Sequence, residues 1–331
     1  MQLVDYFNVF LKDTVNLSNG KLDLLSSRVD AIYAALRADD EIGSLILGKK
    51  PQGSWAHRTI INPVGSKEFD ADFILEMSEN SDWSDSPKKY IEAVYGALER
   101  NPTYEAMPRS RKCRCVRVVY ANSMHVDIVP HLSLADGREV IVNRDDNVFE
   151  KTNPQGFTDW MKEKDGVANG NLRKVIRLLK YLRDHKNSFT GTRSILLTTL
   201  LGEQVSSFKT IGDSSYYSNV PTTLLHLVGD LDDWLQARPI KPSIPDPSGS
   251  GTTFDHRWTQ ETYGYFRERI HTHAAEIRDA YEEDDKDRSV KLWRDLFGDG
   301  FKAPEKASSS AKFQVAVPAA ASTVGRSGRA G

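Results

Sequence analysis

The sequence predicts an α+β protein, with a mixed-sheet lobe followed by a helical lobe. Three observations carry this. Arg114 to Tyr120 and Met124 to Pro130 alternate apolar and polar residues and read as strands. From Asn153 onward the apolar spacing lengthens from two residues to about 3.6, the helical period. Upstream, Phe69-Asp70-Ala71-Asp72-Phe73-Ile74-Leu75 reads as a strand with two carboxylates on one face, because alternate side chains share a side.

Taken in order, residues 3–17 and 21–37 each show helical spacing, and Asn19-Gly20 separates them. Gly53-Ser54-Trp55-Ala56-His57-Arg58-Thr59 opens a short polar segment, joined to the two-aspartate strand by a loop through Asn62-Pro63-Val64-Gly65-Ser66. Pro87 to Arg100 is an amphipathic helix opened by Ser86-Pro87. Asn122-Ser123 is a turn between the paired strands, and a final short strand runs from Glu139 to Asn143. In the helical part, Leu172, Val175, Ile176, Leu179 and Leu182 form a buried stripe that leaves Arg173, Arg177 and Lys180 on a flank. Ser206 to Ser218 is a polar loop whose Tyr216-Tyr217 either stacks on a base or anchors the loop. A helix from Val220 to Leu235 follows, then a stiff proline-rich connector over 238–247 and closing helices at 255–283 and 287–297. From Ala303 the composition turns to Ala, Ser, Gly, Pro and Val without periodicity, the composition of a disordered tail.

With 331 residues, the chain can bury a substantial core. Its 44 Lys and Arg balance 46 Asp and Glu, so no extended nucleic-acid ligand is expected. Cys113 and Cys115 stand two apart on an expected strand, a poor zinc site without a second pair, and read as reduced thiols. No secretory signal and no run of membrane length stands out, so a cytoplasmic protein without membrane contact is expected. The basic run from Pro108 to Arg114 has no interleaved aromatic residues and reads more simply as a solvated loop than as a nucleic-acid contact.

Two carboxylates converging on one spot repel each other unless a cation lies between them, which is the arrangement that a pair of divalent metals requires. Asp70 and Asp72 alone read more simply as a solvated strand edge. The lone Asp127 between Val126 and Ile128 is costly to bury unless it is paired or ligates a metal. His125 shares its face and is either a supporting group or a plain polar strand residue. Gly53 allows close backbone approach to a phosphate, and Ser54 adds a hydroxyl.

Gly-Ser, then D-x-D, then a single Asp on a later strand is the pattern of the polymerase β-type nucleotidyltransferases. Over roughly residues 1–300 the chain resembles their bacterial cGAS/DncV-like branch, the CD-NTases. The resemblance implies a catalytic lobe within residues 1–150, braced by a long N-terminal helix, a helical lobe over 151–302 and a tail over 303–331. It implies two Mg²⁺ ions, with Mn²⁺ as substitute, held by Asp70, Asp72 and Asp127. Lys180 and Ser194 match the family's lysine and serine that grip the donor triphosphate beside Gly53 and Ser54. The implied activity joins nucleoside triphosphates, ATP or GTP, into a cyclic di- or trinucleotide that a separate effector receives in antiphage defence. Rival readings are a transferase making linear 2′-5′ chains or tailing RNA, and a non-catalytic binding protein. Two partners come with the family: a peptide-binding regulator, and an enzyme resembling ubiquitin-activating machinery that would ligate the C-terminal Gly331. For the tail, an idle segment is the plainer alternative.

Overall fold

In the computed structural model, residues 1–65, 69–121 and 124–305 are described. The loop residue Ser66, the turn at Asn122-Ser123 and the tail beyond Glu305, including Gly331, therefore lie outside the described residues.

The sheet contains β1 (Ile46–Gln52), β2 (Phe69–Met77), β3 (Arg109–Arg111), β4 (Val116–Tyr120), β5 (Met124–Ser133), β6 (Glu139–Asn143) and β7 (Val148–Lys151). Its strands run in the order β1-β2-β5-β4-β3, and β6 pairs with β5 and β7. β5 is the spine. One edge pairs in parallel with the whole of β2; the other pairs antiparallel with β4 along its first half and β6 along its second. Each β2 residue at an odd number (Phe69, Ala71, Phe73, Leu75, Met77) is buried. That face packs with α2 (Asn19–Arg37) and α4 (Lys88–Arg100) in one apolar core. The even-numbered residues, Asp70 and Asp72 included, lie on the opposite face.

The second core is helical. It gathers α5 (Pro154–Val167), α6 (Leu172–His185), α7 (Ser194–Glu203), α9 (Val220–Gln236), α10 (Gln260–Glu282) and α11 (Lys286–Phe297). Asn153 caps α5 by accepting from Gly156 N at 2.9 Å, so the change of period coincides with a helix start. The N-terminal segment serves both lobes. α1 (Val4–Phe10) and the π-helical turn Leu11–Val15 bury Phe7, Phe10, Leu11 and Val15 in the helical core, while α2 buries Leu25, Val29, Ile32 and Leu36 against the sheet.

Several boundaries differ from the sequence expectation. Asn19-Gly20 does not separate two helices; it forms the first turn of α2, with Ser18 as the cap. β1, β3 and β7 are additional strands, being short or half-polar and lacking a clear alternation. Cys113 and Cys115 lie in the bend between β3 and β4 rather than on a strand. The basic run is neither loose nor free. Arg109 donates to the carbonyls of Tyr104 and Glu105 at 2.8 and 2.7 Å, Arg111 pairs with Glu92 over the Tyr95 ring, and Arg114 pairs with Glu150. Within 206–218 lies a short helix, α8 (Ser207–Gly212). Tyr217 there is fully buried, and Tyr216 stacks on His226 while donating to Asp230, which favours the anchoring role. α10 begins at Gln260, behind a Thr259–Thr262 capping box, rather than at residue 255.

Phe7 ties the N-terminal segment to the end of the helical lobe, meeting Trp293 edge-on at 4.9 Å and Phe301 at 5.0 Å. Phe7→Ala is expected to lower unfolding stability by about 3–5 kcal/mol, the cost of emptying a packed aromatic site. Urea denaturation followed by tryptophan fluorescence measures it.

Candidate active site

The parallel pairing of β2 with β5 sets the geometry. Asp72 lies directly across from Asp127, and Asp70 across from His125. Parallel neighbours in register share a face, so Asp70, Asp72 and Asp127 project to the same side of the sheet. Asp70 is exposed, Asp72 half-buried and Asp127 buried. The Asp72 carboxyl is pushed up to about 8, first by burial and then by the negative charges of Asp70 and Asp127. The three acidic positions, 55 residues and more apart between strands, are thus electrostatic neighbours.

β1 delivers the glycine. Gln52 pairs with Asp72, and the chain then turns into the short helix α3 (Gly53–Ala56). Gly53 has φ +59°, a left-handed conformation, and a methyl group there would stand 2.7 Å from Asp72 Oδ2. Both the backbone conformation and the approach of the carboxylate require glycine. Ser54 follows in the same turn.

The helical lobe supplies the positive charge. Lys180, on the charged flank of α6, is buried, and its Nζ donates to the Thr59 carbonyl at 2.8 Å. Burial holds its ammonium down at about 8, opposed by the attraction of Asp70 and Asp72 that it faces. Two further contacts bind the segment after α3 to the helical lobe. Arg177 donates to the Arg58 carbonyl at 3.4 Å, and the buried His57 ring lies 4.8 Å from Phe157 on α5. Burial, together with Arg173 and Lys180, depresses His57 to about 4, so this imidazole is neutral at ordinary pH. Ser194 is the first residue of α7 and accepts from Arg183 Nη1 at 3.2 Å. Arg183 sits three residues after Lys180, so one face of α6 serves both positions.

Between the lobes runs a cleft of about 1410 Å³, reached by Gly53 and His57 on one side and by Arg193 and Phe254 on the other. Lobe-spanning clefts of this kind are where small-molecule sites concentrate.

Sequence reasoning did not find Arg117. This residue, facing Asp127 across the β4–β5 ladder, donates from Nε to Oδ1 and from Nη2 to Oδ2, each at 2.7 Å. Among the described residues, no three acidic, imidazole or thiol groups close around one point tightly enough to hold an ion in this form. The donor set nevertheless fits one. The carboxylates are hard oxygen ligands of the kind Mg²⁺ and Mn²⁺ take, and the rise at Asp72 is the cost that a divalent cation would remove. Cys115 is buried nearby and is pushed up by burial and by Asp127 and Asp72, so it stays a neutral thiol.

A raised carboxyl makes metal-free stability fall with pH. The folded protein keeps the Asp72 proton up to about 8, whereas the unfolded chain loses it near 3.8. The stabilisation is complete below the lower value and is lost as pH rises through the higher one. In EDTA, urea midpoints measured between pH 5 and 9 should therefore fall less steeply for Asp72→Asn than for the unsubstituted protein.

Residues 1–165 match the Second Messenger Oligonucleotide or Dinucleotide Synthetase domain. Two characterised proteins align over most of the chain. A cyclic AMP-AMP-AMP synthase from Acinetobacter sp. is 24% identical, covering 86% of this chain and 82% of its own. A c-di-GMP synthase from Roseivirga ehrenbergii is 23% identical, covering 87% and 82%. Among solved structures, Vibrio cholerae DncV cyclic AMP-GMP synthase, in complex with the linear intermediate pppA(3′,5′)pG, superposes with a TM-score of 0.72. It is 14% identical and covers 91% of this chain and 96% of that one. Escherichia coli CdnC in complex with a HORMA protein gives 0.67 at 19% identity, covering 91% and 98%. The family match and the mixed-sheet and helical-lobe fold thus agree: the chain belongs to the second messenger oligonucleotide or dinucleotide synthetases, the CD-NTase nucleotidyltransferases.

Proposed function

We propose that this enzyme joins purine nucleoside triphosphates, releases pyrophosphate and closes the product into a cyclic di- or trinucleotide. The observation that carries the assignment of the site is the in-register pairing of Asp72 with Asp127, with Asp70 on the same face and the Lys180 ammonium before them. Asp70 and Asp72 would hold two Mg²⁺ ions, Mn²⁺ substituting, and Asp127 would complete the site for the ion beside the attacking hydroxyl. Bound there, such ions would lower the pKa of that hydroxyl and offset the charge of the departing pyrophosphate.

The chain's own groups position the donor. Gly53, without a side chain, would let the backbone approach the triphosphate, and Ser54 would offer a hydroxyl. Lys180 brings a positive charge into a water-poor position, where its attraction for polyphosphate is little screened. Ser194, held by Arg183, meets the same triphosphate from α7.

Ring closure is supported by the two aligned relatives, both named as synthases of cyclic products, one of adenylate and one of guanylate. Their similar identities to this chain give no ground for choosing a base. The product would serve as a signal to a separate effector in antiphage defence. A regulatory partner, as with the HORMA protein bound to E. coli CdnC, belongs to the same proposal. So does enzymatic ligation of the tail through Gly331.

Incubation with all pairings of labelled nucleoside triphosphates and Mg²⁺ should give pyrophosphate and a phosphatase-resistant ring, identified by mass spectrometry. A ladder of linear products would refute cyclisation. Asp127→Asn should abolish product while leaving the circular dichroism spectrum unchanged. Lys180→Met should raise KM for the donor by about tenfold or more, the scale of a lost charge-assisted contact.

A further inference from the structure

We propose that Arg117 is the resident counter-ion of the third carboxylate: it occupies both oxygens of Asp127 before metal arrives, competes with the metal for them, and so sets the cation concentration at which the site assembles. This rests on the assignment of Asp127 as a metal ligand.

The geometry is specific. Arg117 and Asp127 are cross-strand partners, and the guanidinium engages the carboxylate as a fork, with both contacts at 2.7 Å. Such bidentate pairing takes one lone pair of each oxygen and aligns the two planar groups. A metal ion can still approach the outer lone pairs, but it then meets the guanidinium charge across a single carboxylate, where solvent screens poorly. The Asp127 side chain is 9% exposed, so the competition takes place away from bulk water.

The surrounding charges leave this task to Arg117. Among the described residues, Lys180 also faces the acidic pair, but it directs its Nζ to the Thr59 carbonyl. Arg183 is engaged by Asp184, Ser194 and the Thr192 carbonyl. Cys115 beside Asp127 brings no positive charge.

A purely structural Arg117, acting only as a clamp that aims Asp127, would have the opposite effect. Removing a clamp loosens the ligand and weakens metal binding; removing a competitor strengthens it. The sign of the change therefore separates the two.

The test is a titration of the nucleotide-free full chain with Mn²⁺, free ion being followed by electron paramagnetic resonance at fixed pH and ionic strength. Arg117→Gln should bind Mn²⁺ about tenfold more tightly than the unsubstituted protein, the scale of a charge-assisted pair. Arg117→Lys, charged but unable to form the fork, should fall between the two. The Mn²⁺-induced rise in thermal midpoint should likewise be larger in Arg117→Gln. Unchanged or weaker binding in Arg117→Gln overturns the proposal; if that variant does not fold, the same sign is read from Arg117→Lys. Asp127→Asn distinguishes the two levels of assignment. If it leaves Mn²⁺ binding untouched, Asp127 is no ligand and the functional reading of that residue fails as well. If it loses Mn²⁺ while the Arg117 variants gain nothing, only the counter-ion role fails.

Discussion

Parallel pairing of two strands far apart in sequence is the constraint on which the rest depends. Asp72 and Asp127 meet because β2 and β5 run side by side in register, buried on one face by an apolar core. The cost of holding like charges there is visible in the raised Asp72 carboxyl, and other features of the site answer to it. Gly53 yields space to Asp72, Arg117 neutralises Asp127, and Lys180 approaches from the opposite lobe. Each is a different means of stabilising negative charge in a poorly solvated place.

The helical lobe is joined to this arrangement through a very short stretch of chain. His57, Arg58 and Thr59 follow the glycine turn at once, and each touches the helical lobe, through a ring contact, a weak hydrogen bond and a buried ammonium contact respectively. The segment that follows Gly53 and Ser54 is therefore anchored to α5 and α6.

Much of this was legible in the sequence because it rests on periodicity. Alternation in β2, β4 and β5 gives the faces, and the change at Asn153 gives the second lobe. The spacing of Asp70 and Asp72, and the cost of an isolated Asp127, mark the acidic positions. What was hidden depends on register and lobe packing. A two-residue turn at Asn122-Ser123 would have paired Arg117 with Ile128, whereas the observed pairing of Tyr120 with Met124 leaves three residues between the strands and brings Arg117 to Asp127. Helical spacing puts Lys180 on a charged flank of α6 but cannot show that the neighbouring lobe covers it. β1 escaped notice because Lys49, Lys50 and Pro51 interrupt its apolar pattern.

The alternation along β2 has a consequence for how the chain avoids mistakes during folding. Ala71 and Phe73 belong to the apolar core, and the aspartates lie between them in the sequence. Slippage by one residue would drive both carboxylates into oil and expose the aromatic ring to water, so a misaligned strand is rejected on hydrophobic grounds long before any substrate is encountered. Fidelity of assembly and competence for chemistry are thus proofread by a single criterion.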